Sequence, residues 1–135
     1  MVSGYSAKQV LDQLSKPGEH PVLRGDLALV GRPGLVYTPA VGLGLPAVAF
    51  GPGWLQPVNR YRALLRHLAS WGFVAAAPGT QRGPLMSARL LAGNLRTTLD
   101  VCTGVRLGDG GISVDASRLA VAGHSMGGGA AVLAA

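Results

Sequence analysis

At 135 residues the chain has room for one domain. Hydrophobic residues make up 48% and charged residues 13%, enough apolar material for a packed core and too few charges for a disordered chain. The net charge of +6 comes from ten arginines and two lysines that form no run, and aromatics are only 5%, which excludes a clustered nucleic-acid face.

Ser6 is placed to cap a short helix through Leu14, with Val10, Leu11 and Leu14 on one side and Pro17-Gly18 ending it. Val22 to Val30 reads as a strand, and Gly31-Arg32-Pro33-Gly34 as the turn into a second strand at Leu35-Val36-Tyr37. Together they predict an antiparallel hairpin at one edge of a sheet. His20, before the hairpin, is expected to be exposed. A glycine-rich loop at 42–44 leads to Pro46 and the apolar run Ala47-Val48-Ala49-Phe50, the pattern of a strand buried on both faces. Gly51-Pro52-Gly53-Trp54 breaks that strand. A helix follows from about Val58 to Ser70, with Tyr61, Leu64, Leu65 and Leu68 on one face and His67 as a surface or packing residue. Gly72 stops it, and Phe73 to Ala77 is the next buried strand.

Pro78 to Pro84 reads as a loop. Ser87 then caps a longer helix in which Leu90, Leu91, Leu95, Leu99, Cys102 and Val105 recur near the helical period. Cys102 is the single cysteine, so the chain forms no internal disulfide, and a buried structural thiol is expected. Gly108-Asp109-Gly110-Gly111 is a turn, and Asp115-Ala116-Ser117 leads into the strand Leu119 to Ala122. From residue 47 onward the order is strand, helix, strand, helix, strand, helix, which predicts an α/β fold with parallel strands and right-handed crossovers. No apolar stretch approaches the ~20 residues of a membrane span, Met1 opens no signal peptide, and a cytoplasmic setting is the expectation.

The chemistry concentrates in Gly123-His124-Ser125-Met126-Gly127, a G-x-S-x-G pentapeptide between an apolar strand and the small-residue run Ala130 to Ala135, suited to a helix. Strand, turn and helix in that order make a nucleophile elbow, on which a serine hydroxyl stands clear of its neighbours. The turn tolerates no bulk two residues before or after the serine, and both positions are glycine. The Met126 amide, at the start of the helix, is placed to donate to a developing oxyanion, aided by the helix dipole. Phosphate-binding alternatives fail: a P-loop needs Lys after its last glycine, and Gly42-Leu43-Gly44-Leu45-Pro46-Ala47 precedes a strand instead of following one. No His/Cys/Asp set has metal-ligand spacing, so neither a metal nor a cofactor is expected.

Three segments carry a family resemblance: Ala47 to Trp54, Leu68-Ala69-Ser70-Trp71-Gly72-Phe73-Val74, and Arg118 to Gly129. With them the chain, over roughly residues 22 to 135, resembles the N-terminal half of an α/β-hydrolase. The likeness is to the dienelactone-hydrolase-like branch of polyester hydrolases, platelet-activating-factor acetylhydrolases and chlorophyllases. The resemblance implies a three-layer fold with a mostly parallel sheet, an N-terminal antiparallel hairpin, and a serine hydrolase mechanism. It implies Ser125 as nucleophile and the backbone amides of Trp54 and Met126 as oxyanion donors, with the Trp54 indole flooring the acyl site and His124 packed beneath it. Dienelactone hydrolases proper carry Cys at the elbow, so Ser125 points to the esterase and lipase side.

Family members place an acid and then a histidine after the nucleophile serine. Here Asp100, Asp109 and Asp115 all precede Ser125, and none of the three histidines holds the family position. The expectation is therefore a single incomplete domain over 1–135, truncated after the elbow. Its last strand would be a bare apolar edge prone to self-association, leaving the chain poorly stable alone. The expected activity is hydrolysis of a small-molecule, lipid or polyester-type carboxylic ester by the complete enzyme. An inactive relic that binds a partner through the open edge is the alternative.

Overall fold

The computed structural model describes residues 6–27, 33–54, 56–79 and 87–135. Its helices are α1 (Ala7–Leu14), α2 (Arg62–Ser70), α3 (Ala88–Gly104) and α4 (Met126–Ala134). Its strands are β1 (Val22–Asp26), β2 (Gly34–Pro39), β3 (Gly42–Gly51), β4 (Val74–Pro78) and β5 (Ile112–Gly123), forming one sheet in the order β1-β2-β4-β3-β5. The ladders β1/β2 and β2/β4 are antiparallel, whereas β3/β4 and β3/β5 are parallel. The expected hairpin is present, but the sheet is mixed and not mostly parallel. β2 inserts beside β4 and so contributes a second antiparallel ladder.

Both faces of the sheet are covered, and the strand alternation decides which side chain goes where. Val36, Ala47, Ala49, Val74 and Ala76 point to one face, against Leu91, Leu95, Leu99 and Cys102 of α3 and Ala130 and Ala131 of α4. Leu35, Tyr37, Val48, Phe50, Ala75 and Ala77 point to the other, against Tyr61, Leu65 and Ala69. The central strands are alanine-rich, so the helices sit close to the backbone of the sheet. Burial pushes the Cys102 thiol up to about 11, in keeping with an inert core cysteine.

Two of the helices, α1 and α3, begin at serine caps. Ser6 and Gln9 form a reciprocal capping box on α1, and the Ser87 hydroxyl accepts from the Leu90 amide at 3.1 Å. The segment expected as one helix from Val58 opens as a 3₁₀ turn, Val58–Tyr61, after Pro57. Two apolar faces differ from expectation. Leu64, Leu90 and Val105 are exposed, because the buried stripes run through Leu65 and Ala69 on α2 and through Leu91, Ala92, Leu95, Leu99 and Cys102 on α3. In α1 no residue is buried, and Leu11 and Leu14 stay 67% and 50% exposed. Polar contacts hold the N-terminal segment instead. His67 Nε2 donates to Leu14 O at 2.8 Å, Trp71 Nε1 to Lys16 O at 2.9 Å, and Gly18 N to Ser70 Oγ at 2.9 Å.

Two strands are longer than the apolar runs that announce them. β3 takes in the glycine-rich stretch expected as a loop, with Gly44 at φ 67°. β5 begins at Ile112, well before Leu119. The pairing between them advances two residues on β3, Leu45 to Ala47, against five on β5, Val114 to Leu119. Asp115 cinches the resulting bulge: its carboxylate accepts from Ser117 N at 2.9 Å and Ser117 Oγ at 2.7 Å and pairs with Arg118 Nε at 3.3 Å. The remainder of the first expected strand (28–30), half of its turn (31–32) and most of the expected loop at 78–84 lie outside the described residues.

Two measurements check this account. Leu95, fully buried between α3 and the sheet, should cost about 2–5 kcal/mol on Leu95→Ala, read as a lower urea midpoint at unchanged slope. The Ser117 hydroxyl and amide, then Arg118, hold the Asp115 carboxyl below its ordinary value of 3.8. A depressed carboxylate stabilises the fold above its unfolded pKa and loses that contribution as pH falls through the folded one. Asp115→Ala should therefore lower the melting temperature slightly at pH 7, and the difference should close well below pH 3.8.

Candidate active site

β3 and β5 run parallel and end in register, Gly51 opposite Gly123. The loops leaving their C-terminal ends therefore emerge side by side, where open α/β sheets gather their functional residues. The loop after β5 is two residues long, His124 and Ser125, and Ser125 sits at φ 57° and ψ −119°. Ser125 is the only positive-φ residue other than glycine among the described residues. That conformation belongs to glycine at the first corner of a type II′ turn, and on serine it stores strain.

Glycine on three sides makes the turn possible. A Cβ on Gly123 would overlap the Gly127 carbonyl, and one on Gly127 would overlap the Gly51 carbonyl. A Cβ on Gly51 would come within 2.9 Å of Gly127 O. β5, α4 and the end of β3 thus meet backbone to backbone. His124 N donates to Gly51 O at 3.0 Å, Gly127 N to His124 O at 2.9 Å, and Gly128 N to Ser125 O at 2.9 Å. The Ser125 side chain is left exposed at the head of α4.

The loop after β3 is fastened to this turn. Gly51, Pro52 and Gly53 are buried, and Trp54 is 50% exposed. Gly53 N donates to the Tyr61 hydroxyl at 2.9 Å, and that hydroxyl lies 3.0 Å from His124 Nδ1. Gln56 N donates to Gly53 O at 3.0 Å. The amides of Trp54 and Met126 donate to no acceptor among the described residues, so two adjoining loops each present a free N–H. His124 does not pack fully beneath the turn. Its ring leans on Tyr61, with centroids 5.9 Å apart, and remains exposed.

No base stands beside Ser125 among the described histidines. His20 is exposed near the start of β1, His67 is bonded to Leu14 O, and His124 directs Nδ1 to Tyr61. Asp115 is ten residues before Ser125 on an extended strand, on the order of 25 Å away. No group of three His, Cys, Asp or Glu among the described residues is arranged to hold a metal. A cavity of about 350 Å³ opens among β1, β2 and the end of α3, bounded by Leu23, Val36, Val101 and Leu107, and includes none of the elbow residues. Tyr61 is the site residue that sequence reasoning did not single out. It read as one more apolar position on a helix face, although a tyrosine soon after a Gly-Pro-Gly loop is a polar handle within reach of that loop.

A family model described as Chlorophyllase matches residues 23–135, which takes in the sheet but for the first residue of β1, and the whole turn at Ser125. The chain belongs to the chlorophyllase family. It is accordingly a hydrolase of the α/β type, of the esterase kind, and the family points to small-molecule ester substrates. No curated protein matches the chain. No helix among the described residues is long and apolar enough to cross a membrane.

The strain at Ser125 has a measurable consequence. Ser125→Gly should raise the unfolding free energy by about 1 kcal/mol, whereas Gly123→Ala should lower it steeply because the elbow cannot close over a methyl group. Chemical denaturation of the two variants beside the parent protein checks both signs.

Proposed function

We propose that the protein is a serine hydrolase of carboxylic esters, built on the α/β-hydrolase fold, with Ser125 as its nucleophile. The observation that carries this reading is the strained turn at Ser125. The fold holds a serine where glycine would be easier, exposes its hydroxyl, and seats it at the N-terminus of α4. Strain of this kind persists only where the surroundings over-determine it, and it gathers at active sites.

In this reading the Ser125 oxygen attacks the ester carbonyl, and the carbonyl oxygen takes up negative charge. The amides of Met126 and Trp54 stabilise it, one from the residue after the nucleophile and one from the loop after β3. The alcohol leaves, an acyl group remains on Ser125, and water releases the acid. A histidine must take the serine proton and an acid must orient that histidine. The reading assigns both to a segment that pairs along the free edge of β5, where Leu119 is 41% exposed and no strand pairs on the outer side among the described residues. The half-exposed Trp54 indole would then wall the acyl side.

The test is hydrolysis of p-nitrophenyl esters together with labelling by a fluorophosphonate. Ser125→Ala should abolish both the label and the turnover above the level left by oxyanion binding, a loss on the order of 10³-fold or more in kcat. Turnover that survives intact in Ser125→Ala refutes the mechanism. A parent protein that neither turns over esters nor takes the label, yet folds, would favour an inactive relic whose open β5 edge serves binding.

A further inference from the structure

Tyr61 lies outside the elbow motif yet touches both loops of the site. It is buried, packed on Phe50 with ring centroids 4.8 Å apart, and only its hydroxyl reaches polar partners. The direction of the first bond follows from chemistry. A backbone N–H only donates, so the phenolic oxygen accepts from Gly53. With the phenolic proton directed at His124 Nδ1, 3.0 Å away, Nδ1 is the acceptor and the imidazole proton sits on Nε2.

The peptide next in line is the one that matters for an oxyanion. Gly53 O and Trp54 N belong to a single planar unit, so fixing one aims the other. Gln56 N holds the carbonyl side of that plane at 3.0 Å. The plane before it, carrying Gly53 N, is joined to it only through a glycine Cα, the least restrained hinge a chain has. Tyr61 removes that freedom by holding Gly53 N, and it ties the same point to His124, the residue directly before the nucleophile.

Resting on the reading of Ser125 as nucleophile, we infer that Tyr61 is a positioning residue: its hydroxyl clamps Gly53 to His124 and so holds the Trp54 amide at a constant distance from the Met126 amide. Ground-state binding of the ester depends little on that distance. Stabilisation of the oxyanion depends on it strongly, since misplacement by about 1 Å can cost up to 10²-fold in rate. The clamp therefore acts on kcat.

The experiment compares Tyr61→Phe, Ser125→Ala and the parent protein on p-nitrophenyl acetate, and records histidine side-chain ¹⁵N shifts of the parent and of Tyr61→Phe at neutral pH. Expected are an Nε2-protonated His124 whose Nδ1 carries the signature of an accepted hydrogen bond, and loss of that signature in Tyr61→Phe. With it kcat should fall about tenfold while KM stays within twofold. Wild-type kcat in Tyr61→Phe, while Ser125→Ala is dead, overturns the clamp and spares the hydrolase reading. Undiminished turnover in Ser125→Ala sinks the hydrolase reading and the catalytic role of Tyr61 with it. A His124 protonated on Nδ1 in the parent protein overturns the inference even where Tyr61→Phe fails to fold.

Discussion

The approach of three backbones at Gly51, Gly123 and Gly127 is the constraint on which the rest of the structure depends. A methyl group on Gly51 or Gly123 would run into Gly127, and one on Gly127 would run into Gly51. Because β3 and β5 end in register, the glycines align without any further adjustment, and the His124 N–H to Gly51 O bond extends the ladder one residue past the strands. Ser125 then has a single place to be. It must reverse the chain between a strand that cannot move outward and a helix that cannot move back, and the φ of 57° is the result.

That constraint reaches into the composition of the sheet. A helix that begins backbone to backbone with β3 has no room for large side chains beneath it. α4 accordingly carries Gly127, Gly128, Gly129, Ala130 and Ala131 before its first branched residue, while Ala47 and Ala49 line β3 below. Bulk is restored further out, by Leu91, Leu95 and Leu99 of α3 on the same face and by Phe50, Tyr61 and Leu65 on the other. The small-residue run thus serves two ends at once, close packing and an elbow that exposes its serine.

The sequence announced the parts whose signal is local. The elbow, the two serine caps, the hairpin and the buried Cys102 each rest on a motif, a cap or a periodic pattern that a few neighbouring residues suffice to define. What escaped notice depends on pairing at a distance. Gly42 to Gly44 looks like a loop by composition, and becomes strand because Gly42 and Leu45 pair with Ile112 and Val114; Asp115 to Arg118 form the bulge between that pairing and the one at Leu119. Leu11 and Leu14 have a helical apolar face, yet polar contacts from His67, Ser70 and Trp71 dock that segment along its end and leave the leucines bare. The insertion of β2 beside β4 has no local cue, since both strands are buried almost throughout. Tyr61 was read as a core residue and is one; its hydroxyl acquires a role only once Gly53 and His124 come within reach of it.

The charge of the chain follows the same logic of backbone satisfaction. Four of the ten arginines show what such scattered cations can do. Arg96 donates to Leu133 O at 2.6 Å and Ala134 O at 3.4 Å, closing the C-terminal carbonyls of α4 from α3. Arg106 reaches Gly110 O at 3.3 Å across a tight turn, and Arg118 bridges Gly44 O and Asp115 where β3 and β5 slip register. Arg66 covers the ring of Tyr37 at 5.4 Å from its centroid. These are positions where the chain leaves carbonyls or a π-face without a partner, at the end of a helix, in a turn, at a bulge and over a strand. A long cation with a forked head can serve each from the surface. These four arginines close gaps that a glycine-rich, alanine-rich fold leaves at its margins.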